Sequence, residues 1–146
     1  MDNLEKLLAI EEIKQLEAKR VRFLDCKDWV SYAAVHVPEM EHTYGPTPPA
    51  FGIENVVEKV RKRLEGAVSI HHLHSPEIEL TSSVSAKAVW VMEDVVIWRE
   101  QDLFLHGYGH YFCDYVCRDD RWLISGRVLK RLWLQEGSYS GRYERI

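Results

Sequence analysis

The apolar residues of this chain change their period once, at Val68, and that change decides what the chain can fold into. Before it they recur at spacings near three and four, as on helices with one buried face. After it they alternate, as on strands with one buried face. The alternation predicts four long strands, over 70–82, 86–99, 106–117 and 122–134. Ser82-Ser83, Glu100-Gln101-Asp102 and Asp119-Asp120-Arg121 supply the turns between them. Strands this long, joined this tightly, make an antiparallel sheet that must twist and curve. Helices first and strands after predict an α+β fold with the helices packed on one sheet face.

Residues 3–25 read as one long helix, capped by Asp2 or Asn3, with Leu4, Leu7, Leu8, Ile10, Ile13, Leu16, Val21 and Leu24 as its apolar positions. A short helix starts at Asp28 and is closed by Pro38. A strand over 39–45 puts His42 and Tyr44 on one face, and 45–49 is a loop rich in proline. A second amphipathic helix covers 53–64 and ends before Gly66. The length predicts one domain, residues 1–135, followed by a loose polar tail, 136–146.

Nineteen basic against 23 acidic residues give a net charge of −4, without the clustered basic surplus of a nucleic-acid or anionic-membrane binder. No stretch is long and apolar enough to span a membrane, and the first residues form no signal-type apolar run, so a cytoplasmic protein is expected. Cys26, Cys113 and Cys117 are odd in number. The last two share a strand about 13 Å apart, beyond the reach of a disulfide.

Side chains alternate along a strand, so parity sorts its faces. In the first long strand the even positions Ile70, His72, His74, Ile78 and Leu80 form the apolar face, and the odd ones include Ser69, Ser75, Glu77 and Glu79. Pro76 points to a bulge that could flip the register after it. The even row of the second strand holds Trp90, Met92 and Asp94, and that of the third His106, Tyr108, His110, Phe112 and Asp114. Apolar walls with a few convergent polar groups describe a binding pocket. Interior histidines are often just hydrogen-bonded core residues, and Trp98 and Phe112 are as readily plain core, so both readings stay open. His72-Leu73-His74 resembles the start of a cupin metal motif, but Glu79 has the wrong parity and the required glycines are missing; no metal is expected. Gly107-Tyr108-Gly109 lies inside a strand and marks a bend rather than a phosphate loop.

Ile13-Lys14-Gln15-Leu16-Glu17, Leu24-Asp25-Cys26-Lys27-Asp28-Trp29, the block from His71 to Ile78, Gly107 to Tyr111, Arg121-Trp122-Leu123-Ile124 and Lys130-Arg131-Leu132 together resemble the SnoaL-like branch of the nuclear transport factor two-like superfamily. The likeness runs over nearly all of 5–134. It implies a cone-shaped, curved antiparallel sheet wrapped around a long N-terminal helix and enclosing one hydrophobic cavity. The family includes scytalone and bile-acid dehydratases, polyketide cyclases, isomerases and non-catalytic binders. Its dehydratase-like pattern places Asp25 as the helix aspartate, His72 as the strand histidine, Asp94 as the next strand's aspartate and Arg131 as the late arginine. Its helix tyrosine position holds Arg20.

The expected chemistry is proton transfer by His72, oriented by Asp25 or Asp94, since histidine takes and returns protons near neutral pH. Arg131 or Arg20 would grip an oxygen-rich or anionic end of the substrate by a forked hydrogen bond. Tyr44, His74, Trp90, Met92, Tyr108 and His110 would complete the walls around a hydroxylated aromatic, polyketide or steroid-like ring. The reaction expected is a cofactor-independent lyase step, dehydration or retro-aldol cleavage. The alternatives are an isomerase or cyclase and a non-catalytic binding module. Relatives bury the apolar outer face that Val89, Val91, Val95 and Ile97 form here, so a homodimer or homotrimer is expected.

Overall fold

A computed structural model describes residues 1–142. Helix α1, Asn3–Asp25, opens on a capping box: Glu5 N–H donates to Asp2 Oδ1 at 2.9 Å, and Asp2 N–H donates to Glu5 Oε2 at 2.6 Å. Its buried residues, Ala9, Ile13, Leu16, Glu17, Arg20 and Leu24, form one stripe at helical spacing. Leu4, Leu7 and Leu8 lie outside that stripe and are exposed. Helix α2, Trp29–Ala34, precedes strand β1, His36–Tyr44. Pro38 therefore lies within the strand instead of closing the helix. It sits where the pairing register shifts, a place where a residue without N–H is tolerated. Strand β2, Ala50–Phe51, and helix α3, Ile53–Arg63, follow, then β3, Val68–Leu80, β4, Ser85–Trp98, β5, Leu103–Arg118, β6, Arg121–Ser138, and a final turn α4, Tyr139–Arg142.

The six strands lie in the order β2-β1-β6-β5-β4-β3. The long strands β3 to β6 are an antiparallel meander; β5 and β6 join through Asp119 and Asp120, both at positive φ as a two-residue hairpin requires. β1 returns to pair with β6 in parallel, which makes the sheet mixed, and β2 and β3 are its open edges. This is the long-helix, curved-sheet α+β architecture that the family resemblance implied. The expected loose tail needs correction: Glu136, Gly137 and Ser138 pair with Leu105, Phe104 and Leu103 as the end of β6. Residues 143–146 lie outside the described residues.

The concave face packs on α1. Ile13 and Leu16 meet Val37, Met40, Ala88, Trp90, Met92, Cys113, Tyr115, Ile124 and Leu129 in the main core, and Leu24, Tyr32, Leu64, Val96 and Leu105 form a second cluster near the C-terminal end of α1. Charged groups are buried with them. Glu17, Arg20 and Arg127 are each at most 2% exposed. Arg20 Nε donates to Glu17 Oε2 at 2.6 Å, Arg127 Nη2 stands 3.6 Å from Glu17 Oε1, and Tyr115 Oη donates to the same oxygen at 2.8 Å while accepting from Trp90 Nε1 at 2.9 Å. Burial alone would raise the Glu17 carboxyl, but the two guanidiniums outweigh it and hold it at about 2. His42 goes the other way: burial, then the nearby Arg127 and Arg20, push it down to about 3.

Two predictions follow from these buried groups. Glu17→Gln leaves two interior guanidiniums without their counter-charge and should lower stability by about 3–5 kcal/mol in urea titrations; a loss under about 1 kcal/mol would mean that they are neutralised elsewhere. Stability should also fall on acidification in two stages. Below the ordinary histidine pKa the unfolded chain takes up a proton on His42 that the folded chain refuses until about pH 3. Below the ordinary glutamate pKa the unfolded chain also protonates Glu17, which the folded chain keeps ionised down to about pH 2. In both windows the unfolded state binds more protons, so each step down in pH favours unfolding. Urea midpoints measured from pH 7 to 3 check this, and a flat profile would contradict it.

Candidate active site

The segment Leu24-Asp25-Cys26-Lys27-Asp28-Trp29 is a joint with a separate task for each polar residue. Asp25 is the last residue of α1 and reaches across to β3. Its Oδ1 accepts from Ser69 Oγ at 2.9 Å and from His71 Nδ1 at 2.7 Å, and its Oδ2 accepts from the His71 backbone N–H at 2.8 Å. Lys27, at φ 60°, turns the chain and donates from Nζ to Ser69 Oγ at 2.6 Å. Asp28 then caps α2 by accepting from Ser31 N–H at 3.0 Å. Half-burial would raise the Asp25 carboxyl, but the ring and backbone hydrogen bonds of His71 outweigh it and hold the group below the usual carboxylate range. With Nδ1 engaged by Asp25, Nε2 is the nitrogen left for chemistry. The His71 side chain is only 7% exposed.

His71 lines a partly enclosed cavity of about 60 Å³ between α1, α3 and the sheet. Its apolar wall is Leu24, Val60, Leu64, Val96 and Leu105, and Tyr32, Tyr44 and Tyr111 add rings. Opposite stand Arg20, Arg127 and His42. Arg20 Nη2, Arg127 Nε and Nη2, and His42 Nε2 are buried without a hydrogen-bond partner among the described residues. Burial lifts the Tyr111 hydroxyl well above the ordinary tyrosine range, so it stays protonated. Tyr44 separates this chamber from an outer basin of about 350 Å³ beside the 45–49 loop. Arg63 holds it there, with its guanidinium 3.8 Å from the Tyr44 ring centre and Nη2 donating to the hydroxyl at 2.7 Å.

A second acid faces inward. Asp94 is 4% exposed and is clamped by Arg131, whose Nη1 and Nη2 donate to Oδ1 and Oδ2 at 2.5 and 2.7 Å. Arg131 Nη2 also donates to Tyr44 Oη at 2.6 Å. This fork lies over Gly107, which pairs with Asp94 across the strands: a Cβ there would stand 2.1 Å from Arg131 Nη1 and 2.9 Å from Asp94 Oδ1. At Gly109 a Cβ would meet the Lys130 carbonyl oxygen at 2.4 Å, beside the bulge where Gly109 takes Arg131 as its partner. The glycine pair is the floor on which Arg131 rests.

Of the residues anticipated from sequence, Asp94, Arg20 and Tyr44 line this chamber, while Asp25 stands behind His71 and Arg131 behind Asp94 and Tyr44. Trp90 and Met92 face inward but belong to the core and do not line it. His72 is a correction. Its side chain is 58% exposed on the convex face, with Nδ1 3.9 Å from Glu93, and it touches neither Asp25 nor Asp94. His74, Tyr108, His110 and Phe112 also lie on that outer face and cannot wall the cavity. The reason is the bulge between His74 and Glu77, with Ser75 at φ 34°. Before it the odd residues Ser69, His71 and Leu73 point inward; after it the even residues Ile78 and Leu80 do. Reading one parity through Pro76 put the wrong histidine inside. Sequence reasoning also missed Arg127, which follows bulged pairing at Gly126, and Arg63, which reads as ordinary helix surface.

Gly107→Ala should lower stability by about 2 kcal/mol, because the new methyl must dislodge the Arg131–Asp94 fork. In an Arg131→Ala background the same change should lose much of its effect, since its closest clash, with Arg131 Nη1, is gone and Asp94, released from the fork, can shift away. A double-mutant cycle in urea checks this, and simple additivity would refute it.

Comparison with known proteins agrees with this geometry at the level of fold. The structure superposes on a provisionally named scytalone dehydratase from Novosphingobium aromaticivorans with a TM-score of 0.85 at 20% identity, covering 98% of this chain and 100% of the other. It also superposes on the hexachlorocyclohexane dehydrochlorinase LinA-type3 from Novosphingobium barchaimii (0.82, 16% identity, 93% and 94% covered) and on ActVI-ORFA from Streptomyces coelicolor (0.71, 14% identity, 85% and 97% covered). The SnoaL-like domain family matches residues 5–128, most of the chain. The protein belongs to the SnoaL-like domain family.

Proposed function

We infer that the chain is a cofactor-independent lyase that carries out β-elimination on a small, largely apolar molecule, with His71 as the proton-transferring base. The observation that carries this reading is the 2.7 Å hydrogen bond from His71 Nδ1 to Asp25 Oδ1 beside a largely apolar cavity. A carboxylate on one ring nitrogen fixes the tautomer and stabilises the imidazolium that forms when the other nitrogen takes a proton. The dehydratase and dehydrochlorinase names of two structural neighbours describe eliminations of this kind, which supports the same class here.

In the step proposed, His71 Nε2 takes a proton from one carbon, the C–H electron pair becomes the new π bond, and the leaving group departs from the neighbouring carbon with its own bonding pair. The carboxylates in and beside the cavity are already engaged: Asp94 in its wall by Arg131, and behind the wall Asp25 by His71 and Ser69 and Glu17 by Arg20 and Tyr115. The cavity's unengaged groups include the guanidinium N–H donors of Arg20 and Arg127. Such a site is arranged to meet negative charge as it develops on a departing oxygen or halogen. If hydroxide leaves, the imidazolium returns its proton and water is released. Asp94 and Arg131 are positioning residues that hold Tyr44 at the mouth. At about 60 Å³ the chamber is too small for a ring, and Tyr44 and Arg63, which line both it and the outer basin, would part to admit one.

Incubating the protein with a panel of small cyclic alcohols and halides, followed by mass spectrometry, tests the reaction. Loss of water or hydrogen halide supports it, whereas unchanged mass at a new retention time points to isomerisation. His71→Ala and Asp25→Asn should each lower turnover by about 10²–10⁴-fold. His72→Ala should keep it. Full turnover in His71→Ala would overturn the assignment.

A further inference from the structure

The bulge that turns His71 into the cavity leaves His72 and His74 together on the opposite, solvent-facing side of the sheet. They are the i and i+2 residues of one strand face, with ring centres 6.0 Å apart. Directly across from His72 on β4 is Glu93, its register partner. One ligand atom each from His72, His74 and Glu93 all lie within 4.8 Å of one another, which among the described residues is the one group of three or more with this spacing. Two imidazoles and a carboxylate are the donor set of a three-ligand site for a borderline divalent metal, with remaining positions open to water.

The carboxylate is also held. Glu93 Oε1 accepts from His106 Nε2 at 2.7 Å, while Oε2 is the oxygen nearer His72, at 3.9 Å from Nδ1. A ligating carboxylate fixed through its second oxygen by a neighbouring donor is the usual outer-shell arrangement of metal sites. Ligand atoms around a tetrahedral ion bonded at about 2.1 Å stand roughly 3.4 Å apart. Rotation of the exposed His72 and His74 side chains would close the remaining distance without moving backbone.

We propose that His72, His74 and Glu93 form a binding site for a divalent transition-metal ion of the zinc type on the convex face of the sheet, with His106 orienting Glu93. The site lies on the opposite face from the Asp25–His71 chamber, shares no residue with it, and does not depend on the proposed elimination. The test is isothermal titration of the tag-free chain with zinc chloride near pH 7.5, paired with cobalt(II) absorption as a report on coordination. One ion per chain is expected, with a cobalt ligand-field band in the visible. His72→Ala and His74→Ala should each weaken zinc binding by at least about 100-fold, and His106→Phe by about 10-fold, the range seen when an outer-shell partner is lost. Circular dichroism of each variant confirms that it has folded. The proposal is overturned by the absence of saturable zinc binding at up to about millimolar concentration, or by binding that persists in both single-histidine variants.

Discussion

The Asp25 carboxylate is the point on which the arrangement turns. It ends α1, and its three hydrogen bonds to Ser69 and His71 fasten that end to β3, an open edge strand of the sheet. A helix docked only by its apolar stripe could slide or roll by a fraction of a turn, because dispersion and burial are not directional. Three bonds to one carboxylate are directional. They set where the helix stops against the sheet, and so where Arg20, little more than one turn earlier, projects relative to Arg127. The same bonds fix the ring of His71. Structural anchoring and imidazole orientation are thus one interaction, and removing the carboxylate would disturb both.

The charges inside the cone form a balanced set whose distribution matters more than its sum. Glu17, Asp25 and Asp94 face Arg20, Arg127 and Arg131. Each carboxylate is engaged by close donors, and burying it in any other way would be prohibitive. Guanidiniums carry more N–H groups than three carboxylates in this geometry can accept, so donors are left over. Buried unpaired donors destabilise a folded protein. Their place around a cavity gives that strain a direction: negative charge arriving or forming there would relieve it. Burial first, and then the same excess of cations, depress the basicity of His42, which stays neutral.

Much of the architecture could be read in advance because it rests on periodicity. The boundaries of α1 and α3 and the meander follow from apolar spacing, and the Asp119-Asp120 turn from residue types that accept positive φ. What could not be read is local geometry that breaks the period. In β3 the acidic residues Glu77 and Glu79 correctly mark the outer face of the second half; carried back through Ser75 and Pro76, the same parity inverts the first half. In β5 the even residues do share a face, as alternation requires, but alternation does not say which face is concave. Gly107 and Gly109 carried that information, since a Cβ at the first would strike the Arg131 side chain and at the second the backbone of β6. Asp94 was identifiable because an acid in an apolar row demands a partner, whereas Asp25 and Arg131 were placed by the family resemblance.

A bulge between two histidines and two glutamates thus has consequences on both sides of a sheet one residue thick. Were β3 regular, His72 and His74 would share a face with Ile78 and Leu80, and His71 would share the other with Glu77 and Glu79. The extra residue at the bulge lets the strand satisfy two demands that a period of two would set against each other. Its first half must present His71 to Asp25, and its second half must present Ile78 and Leu80 to the core. The strand cannot slide by one residue to relieve the bulge, because that would carry His71 out of reach of Asp25 and bring an exposed imidazole inside. Register, dyad and the outward histidine pair are therefore fixed together.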